Sequence, residues 1–99
     1  MRPFFLSLDA AQDLGDIWDQ FAAENLDAAD LFLSRLYDQL SALAESPEMG
    51  HRREDLTEDR PVFFWPFRNY LIIYRNTRGY VEVLAFVRGS RTLSRKANA

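Results

Sequence analysis

Three rhythms of apolar and polar positions run along this chain. The first is a short apolar run, Phe4 to Leu8, bounded by Pro3 and Asp9, which predicts a strand. The second is helical. Leu14, Ile17, Trp18 and Phe21 recur at three- and four-residue spacing, and Asp9 stands ahead of them as an N-cap with Gln12 as its capping-box partner. Asp13, Asp16 and Asp19 fall off that stripe and read as a solvated face near a helix start, where acidic residues suit the macrodipole. Asn25-Leu26-Asp27 breaks the pattern, and Asp27 reads as the cap of a second helix with acidic Asp30 three residues on. The second stripe is Phe32, Leu33, Leu36, Leu40 and Leu43, with Ala29 and Ala44 allowing close approach. Pro47 stops this helix and Gly50 permits the turn that follows. Two helices joined by a short polar link predict an antiparallel hairpin.

The third rhythm belongs to strands. Residues 48–61 are polar and charged and read as a surface loop. Val62 to Trp65 is strand-like, and Pro66, which has no N–H to give a ladder, ends that strand or bulges it at an edge. Tyr70 to Arg75 is almost unbroken in hydrophobicity, the mark of a central strand covered on both faces. Asn76-Thr77-Arg78-Gly79 forms a hairpin turn, and Val81 to Val87 is the returning strand. The order strand-helix-helix-strand-strand-strand predicts an α+β fold, a helical hairpin packed on one face of a mainly antiparallel sheet. Residues 1–99 form one domain, with a basic tail over 90–99 that is frayed or a short helix.

Charge changes this picture more than composition does. The net charge is −3, yet residues 1–59 hold four Arg against fourteen Asp and Glu, a net of −10, while residues 60–99 hold seven Arg and one Lys against Glu82 alone, a net of +7. The chain is therefore strongly dipolar: either its basic half steers an acidic partner, or the two halves neutralise each other when packed. The absence of cysteine excludes disulfides, thiolate metal sites and Cys nucleophiles, and fits a reducing cytoplasm. The first residues hold too short an apolar run for a signal peptide, and nothing approaches a membrane-spanning length. No Asp/Glu/His cluster has metal-ligand spacing and no glycine-rich phosphate loop is visible, so no metal or cofactor is expected.

The candidate chemistry is concentrated in the second half. His51, Arg52 and Arg53 form a basic cluster after Pro47-x-x-Gly50, with His51 read as a solvent-exposed loop residue. Arg88, Arg91, Arg95 and Lys96 are the most basic segment and would project from one end of the sheet toward nucleic acid or an acidic protein. Phe63, Phe64, Trp65 and Phe67 cannot all be buried on one face of a strand. At least two belong to the core, and the remainder, beside Arg68, form a docking surface at a sheet edge.

The ordered set of these pieces resembles the RelE/ParE superfamily of bacterial toxins from type II toxin–antitoxin systems. The pieces are Ala11 and Asp13 with Leu14 and Ile17; Pro47, Gly50 and Arg53; Tyr70, Ile72 and Tyr74; and Val83 to Val87 followed by Arg88, Gly89 and Arg91. RelE-like members cut messenger RNA on the ribosome with Arg, Lys and a Tyr near the C-terminus; ParE-like members poison DNA gyrase without being nucleases. Here Leu71 stands where the RelE-like branch often carries Arg, and the tail beyond Arg91 has neither Tyr nor His. The resemblance therefore implies the ParE-like branch. It implies a cytoplasmic toxin without catalytic residues, associated with plasmid stabilisation, that inhibits gyrase by binding and forms an oligomer with a cognate antitoxin. Arg53, Arg88, Arg91, Arg95 and Lys96 are then the target-binding residues, and Phe64, Trp65, Phe67 and Arg68 the antitoxin-binding ones. The alternatives are a ribosome-dependent messenger RNA endonuclease using Arg53, Arg91 and Lys96, or a non-toxic remnant that kept only antitoxin binding.

Overall fold

The computed structural model describes residues 2–53 and 62–88, apart from the side chains of Arg52 and Arg53. Strand β1 (Phe4–Leu6) leads into helices α1 (Leu8–Glu24) and α2 (Leu26–Glu45), and a 3-10 turn over Pro47–Met49 follows. Then come β2 (His51–Arg53), β3 (Val62–Phe67), β4 (Tyr70–Thr77) and β5 (Tyr80–Arg88). Their order in the sheet is β1-β5-β4-β3-β2, with only the β1–β5 pair parallel. The α+β architecture read from the sequence is the observed one, with β4 central. One element was missed: His51–Arg53 pairs with Phe64, Phe63 and Val62 rather than lying in a loop. Three charged or polar residues give no strand signal of their own, and the partner strand supplies the ladder.

The helix boundaries differ from the sequence pattern for local hydrogen-bonding reasons. Ser7, not Asp9, caps α1: its Oγ accepts from Ala10 N–H at 3.0 Å. A single residue, Asn25, separates the helices. Its N–H donates to Phe21 C=O at 2.9 Å and closes α1, while its Oδ1 accepts from Ala28 N–H at 3.1 Å and opens α2. Asp27 therefore sits inside the first turn instead of capping it. Ala29 and Ala44 are wholly buried and Phe32, Leu36, Leu40 and Leu43 fill the core, but Leu33 lies outside that stripe and is exposed.

The core lies between this hairpin and one sheet face, where Tyr70, Ile72, Tyr74, Val81, Val83 and Phe86 meet Ile17, Phe32 and Leu36. Strand alternation alone would turn Phe86 away from Val81 and Val83. A bulge resolves the conflict: Tyr74 pairs with Val83 and Ile73 with Ala85, which leaves Leu84 without a partner in the ladder. The groups it frees are taken up by the start of the chain. Ser7 Oγ donates to Leu84 C=O at 3.0 Å, and Asp13 accepts from Phe86 N–H at 3.1 Å. Asp13 is thus not merely part of a solvated face. At the other end of the sheet the Arg2 guanidinium binds Asn76 Oδ1 and the carbonyls of Thr77 and Tyr80, holding the β4–β5 turn, where Gly79 has φ +88.

Candidate functional site

Pro66 does not end β3. The strand continues to Phe67, because β2 pairs only as far as Phe64 and leaves the Pro66 stretch an outer edge that needs no donor. Alternation along β3 then sorts its aromatics. Phe63, Trp65 and Phe67 share the helix-side face with Tyr74, Ile72 and Tyr70, their partners in β4. All three are half-buried against the core, and Phe63 stacks on Tyr74 with 5.4 Å between ring centroids. Phe64 points to the opposite face and is buried there, as are Val62 and Leu71. The structure thus brings Trp65, Phe67 and Arg68 to one side and Phe64 to the other.

Arg68 and Asn69 make the two-residue turn from β3 to β4. Arg68 has φ +56, the left-handed region that glycine occupies at no steric cost. Its guanidinium lies 5.8 Å from the centroid of the Phe67 ring. Replacing it, Arg68→Gly, should stabilise the fold by about 0.5–1 kcal/mol, since relief of the left-handed strain exceeds the extra entropy glycine brings to the unfolded chain. Urea denaturation checks this, and a loss of stability would mean that the guanidinium–Phe67 contact outweighs the strain.

The bulge at Leu84 decides where Arg88 goes. It puts Phe86 beside Ile72 and Arg88 beside Tyr70, on the helix side. Arg68 and Arg88 therefore edge the same groove of about 570 Å³, between the last turns of α1 and the end of the sheet. Its floor is aromatic: Phe21 stacks on Phe32 at 4.7 Å, and Phe32 meets Tyr70 edge-on at 5.9 Å. Glu24 lines the groove too.

Arg53 is not part of this cluster. It pairs with Val62, five residues along β3 from Phe67, roughly 17 Å at the usual strand rise. Arg91, Arg95 and Lys96 lie outside the described residues. His51 opens β2 and is exposed, as the sequence pattern implies.

The Pro47-x-x-Gly50 segment is held from the core. Tyr74, wholly buried on the central strand, donates through its hydroxyl to Pro47 C=O at 2.6 Å and accepts from Gly50 N–H at 3.0 Å. Gly50 has ordinary φ (−75°), so the turn does not need glycine for its backbone angles. It needs glycine for space: a Cβ there would collide with the Tyr74 hydroxyl and stand 2.9 Å from its Cζ and 3.0 Å from Phe64 C=O. Burial pushes the Tyr74 phenol up to about 12, against the lowering effect of the Gly50 N–H, with Glu48 adding to the rise. The folded value lies above the ordinary one. The stability of the neutral phenol is therefore complete below about pH 10 and lost as the pH climbs toward 12.

Among the described residues, no group of three or more His, Asp or Glu is placed to hold a metal ion, and no helix is long and apolar enough to cross a membrane. Residues 4–93 match the family model described as the ParE toxin of the type II toxin–antitoxin system parDE. The chain belongs to the ParE toxin family. A solved structure described as the chromosomal ParDE toxin–antitoxin system from P. aeruginosa has the same fold, with TM-score 0.71 and 18% identity. The alignment covers 91% of this chain and 98% of that one. No curated protein sequence matches it. In this ParE-family chain the Pro47–Gly50 and Tyr74 pieces of the sequence pattern are one physical unit, a loop pinned by a buried hydroxyl.

Proposed function

We propose that this ParE-family chain acts by binding, that its target is DNA gyrase, and that a cognate antitoxin neutralises it by ordering across the aromatic and basic end of the sheet. The observation that carries the reading is the family match over residues 4–93, nearly the whole described fold. Two features support binding over RNA cleavage. Leu71, at the position where the RelE-like branch often carries Arg, is buried and apolar. The hydroxyl of Tyr74 is committed to Pro47 and Gly50, so it is not free to donate a proton to a leaving group. The basic residues Arg88, Arg91, Arg95 and Lys96 run from the end of β5 into the tail and suit an acidic protein surface.

Tightly induced expression without antitoxin, with thymidine and amino-acid incorporation followed together, tests this directly. DNA synthesis should stop first, and transcripts should stay intact. If protein synthesis stops first and transcripts are cut, the chain is a messenger RNA endonuclease and Arg53, Arg91 and Lys96 become its candidates. If neither stops, it is a non-toxic relative that keeps only partner binding.

A further inference from the structure

The groove between the end of α1 and the β3–β4 turn has two cationic walls and an aromatic floor. Arg68 and Arg88 both line it, both are exposed, and among the described residues neither makes a salt bridge. Phe21, Phe32 and Tyr70 lie beneath them. Two features of the backbone contribute to this arrangement. The left-handed turn at Arg68 puts an arginine where glycine would be less strained, and the bulge at Leu84 carries Arg88 to the helix side. Guanidinium groups over an aromatic floor suit a planar carboxylate with an apolar side chain next to it.

We propose that this groove is the docking site for a peptide segment carrying an Asp or Glu beside an apolar residue, with Arg68 and Arg88 as ligands of the carboxylate, and that the antitoxin supplies the segment. The last clause rests on the toxin–antitoxin reading above; the groove's chemistry does not. A nucleic acid is the poorer occupant. Glu24 lines the groove, and Asp13 and Asp16 line an adjoining hollow that shares Arg88 and Tyr70 with it. This acidic rim repels a chain of phosphates, whereas a single carboxylate flanked by apolar side chains reaches the arginines without crossing it. Among the described residues Asp13 forms no salt bridge with Arg88; its Oδ2 accepts from Phe86 N–H instead.

The test is selection of random dodecapeptides displayed on phage against the immobilised full chain, followed by fluorescence anisotropy with the best peptide made synthetically. Asp or Glu adjacent to Leu, Ile, Phe or Trp should dominate the selected set. Affinity should fall about tenfold or more in Arg88→Gln and in Arg68→Gln. It should not change in Arg78→Gln, which removes the same charge at the opposite end of the sheet. Glu24→Gln should tighten binding several-fold, an effect that a purely structural role for Glu24 would not give. Thermal melts of each variant keep folding separate from binding, and Glu24→Gln still decides if an arginine variant is unstable. Three results overturn the proposal: no acidic residues among selected peptides, an affinity unmoved by Arg88→Gln, or displacement of the peptide by equimolar single-stranded oligothymidylate. Growth arrest in the labelling experiment without acidic peptides sinks the groove and spares the toxin reading. Acidic peptides without arrest do the reverse.

Discussion

Gly50→Ala should cost about 3 kcal/mol of stability, a large share of what a domain this size possesses. The added Cβ meets Tyr74 and the Phe64 carbonyl from two sides. Neither can retreat readily, since Tyr74 is fully buried on the central strand and Phe64 C=O belongs to β3. Overpacking of this kind costs roughly 1–3 kcal/mol, and displacing the hydroxyl also loosens its bonds to Pro47 and Gly50, at about 1–2 kcal/mol more. The melting temperature should fall by roughly 10–20 °C. Tyr74→Phe alone should cost about 2 kcal/mol by leaving the Pro47 carbonyl and the Gly50 N–H without their partner. The two changes should not add. Removing the hydroxyl makes room for part of the Cβ, so the double variant should be about 1–2 kcal/mol more stable than the sum of the single effects predicts. Denaturant titration of the four proteins measures this coupling. A Gly50→Ala protein that melts within a degree of wild type would show that Tyr74 and the loop yield to the added Cβ at no cost.

Removing both caps of the β5 bulge, in Ser7→Ala with Asp13→Ala, should cost about 3 kcal/mol. Ser7 Oγ accepts from Ala10 N–H and donates to Leu84 C=O, so its loss uncaps α1 and orphans a bulge carbonyl at once. Asp13 takes the Phe86 N–H, and truncating it leaves a part-buried donor unpaired, at about 1–2 kcal/mol. Asp13→Asn retains an acceptor oxygen and should cost under about 1 kcal/mol. The contrast between Asn and Ala separates a hydrogen-bond acceptor from a mere surface charge. Equal melting curves for the two variants would return Asp13 to the solvated face that its sequence position implies.

The elements legible in the sequence are those with strong local signals. The stripe Phe32, Leu36, Leu40 and Leu43 is the buried face of α2, and the unbroken run Tyr70 to Tyr74 is the central strand. Both helices start two residues earlier than the pattern implies, because Ser7 and Asn25 accept from Ala10 and Ala28 N–H and leave Asp9 and Asp27 inside the first turns. Strand β2 was not legible, since His51, Arg52 and Arg53 pair only because β3 offers an open edge. At the candidate site, the sequence pattern assigns Arg88 to the target and Arg68 to the antitoxin and does not place them on one groove, nor does it join Gln20, Phe21 and Glu24 to them. No sequence signal joins residues near 20 to residues near 68 and 88.

The sequence by itself determined the secondary elements other than β2, their order, the charge separation between the two halves and the likeness to the ParE family, because periodicity, composition and ordered motifs are properties of neighbours along the chain. Tertiary structure alone decided which side of the sheet Arg88 occupies, why Gly50 has no room for a side chain, and what Asp13 does. The first depends on the register of β5 against β4, the second on a contact 24 residues away along the chain and the third on one 73 residues away. A bulge of one residue inverts the facing of everything after it, and nothing local to Val83-Leu84-Ala85 announces that Ser7 and Asp13 will be there to satisfy it.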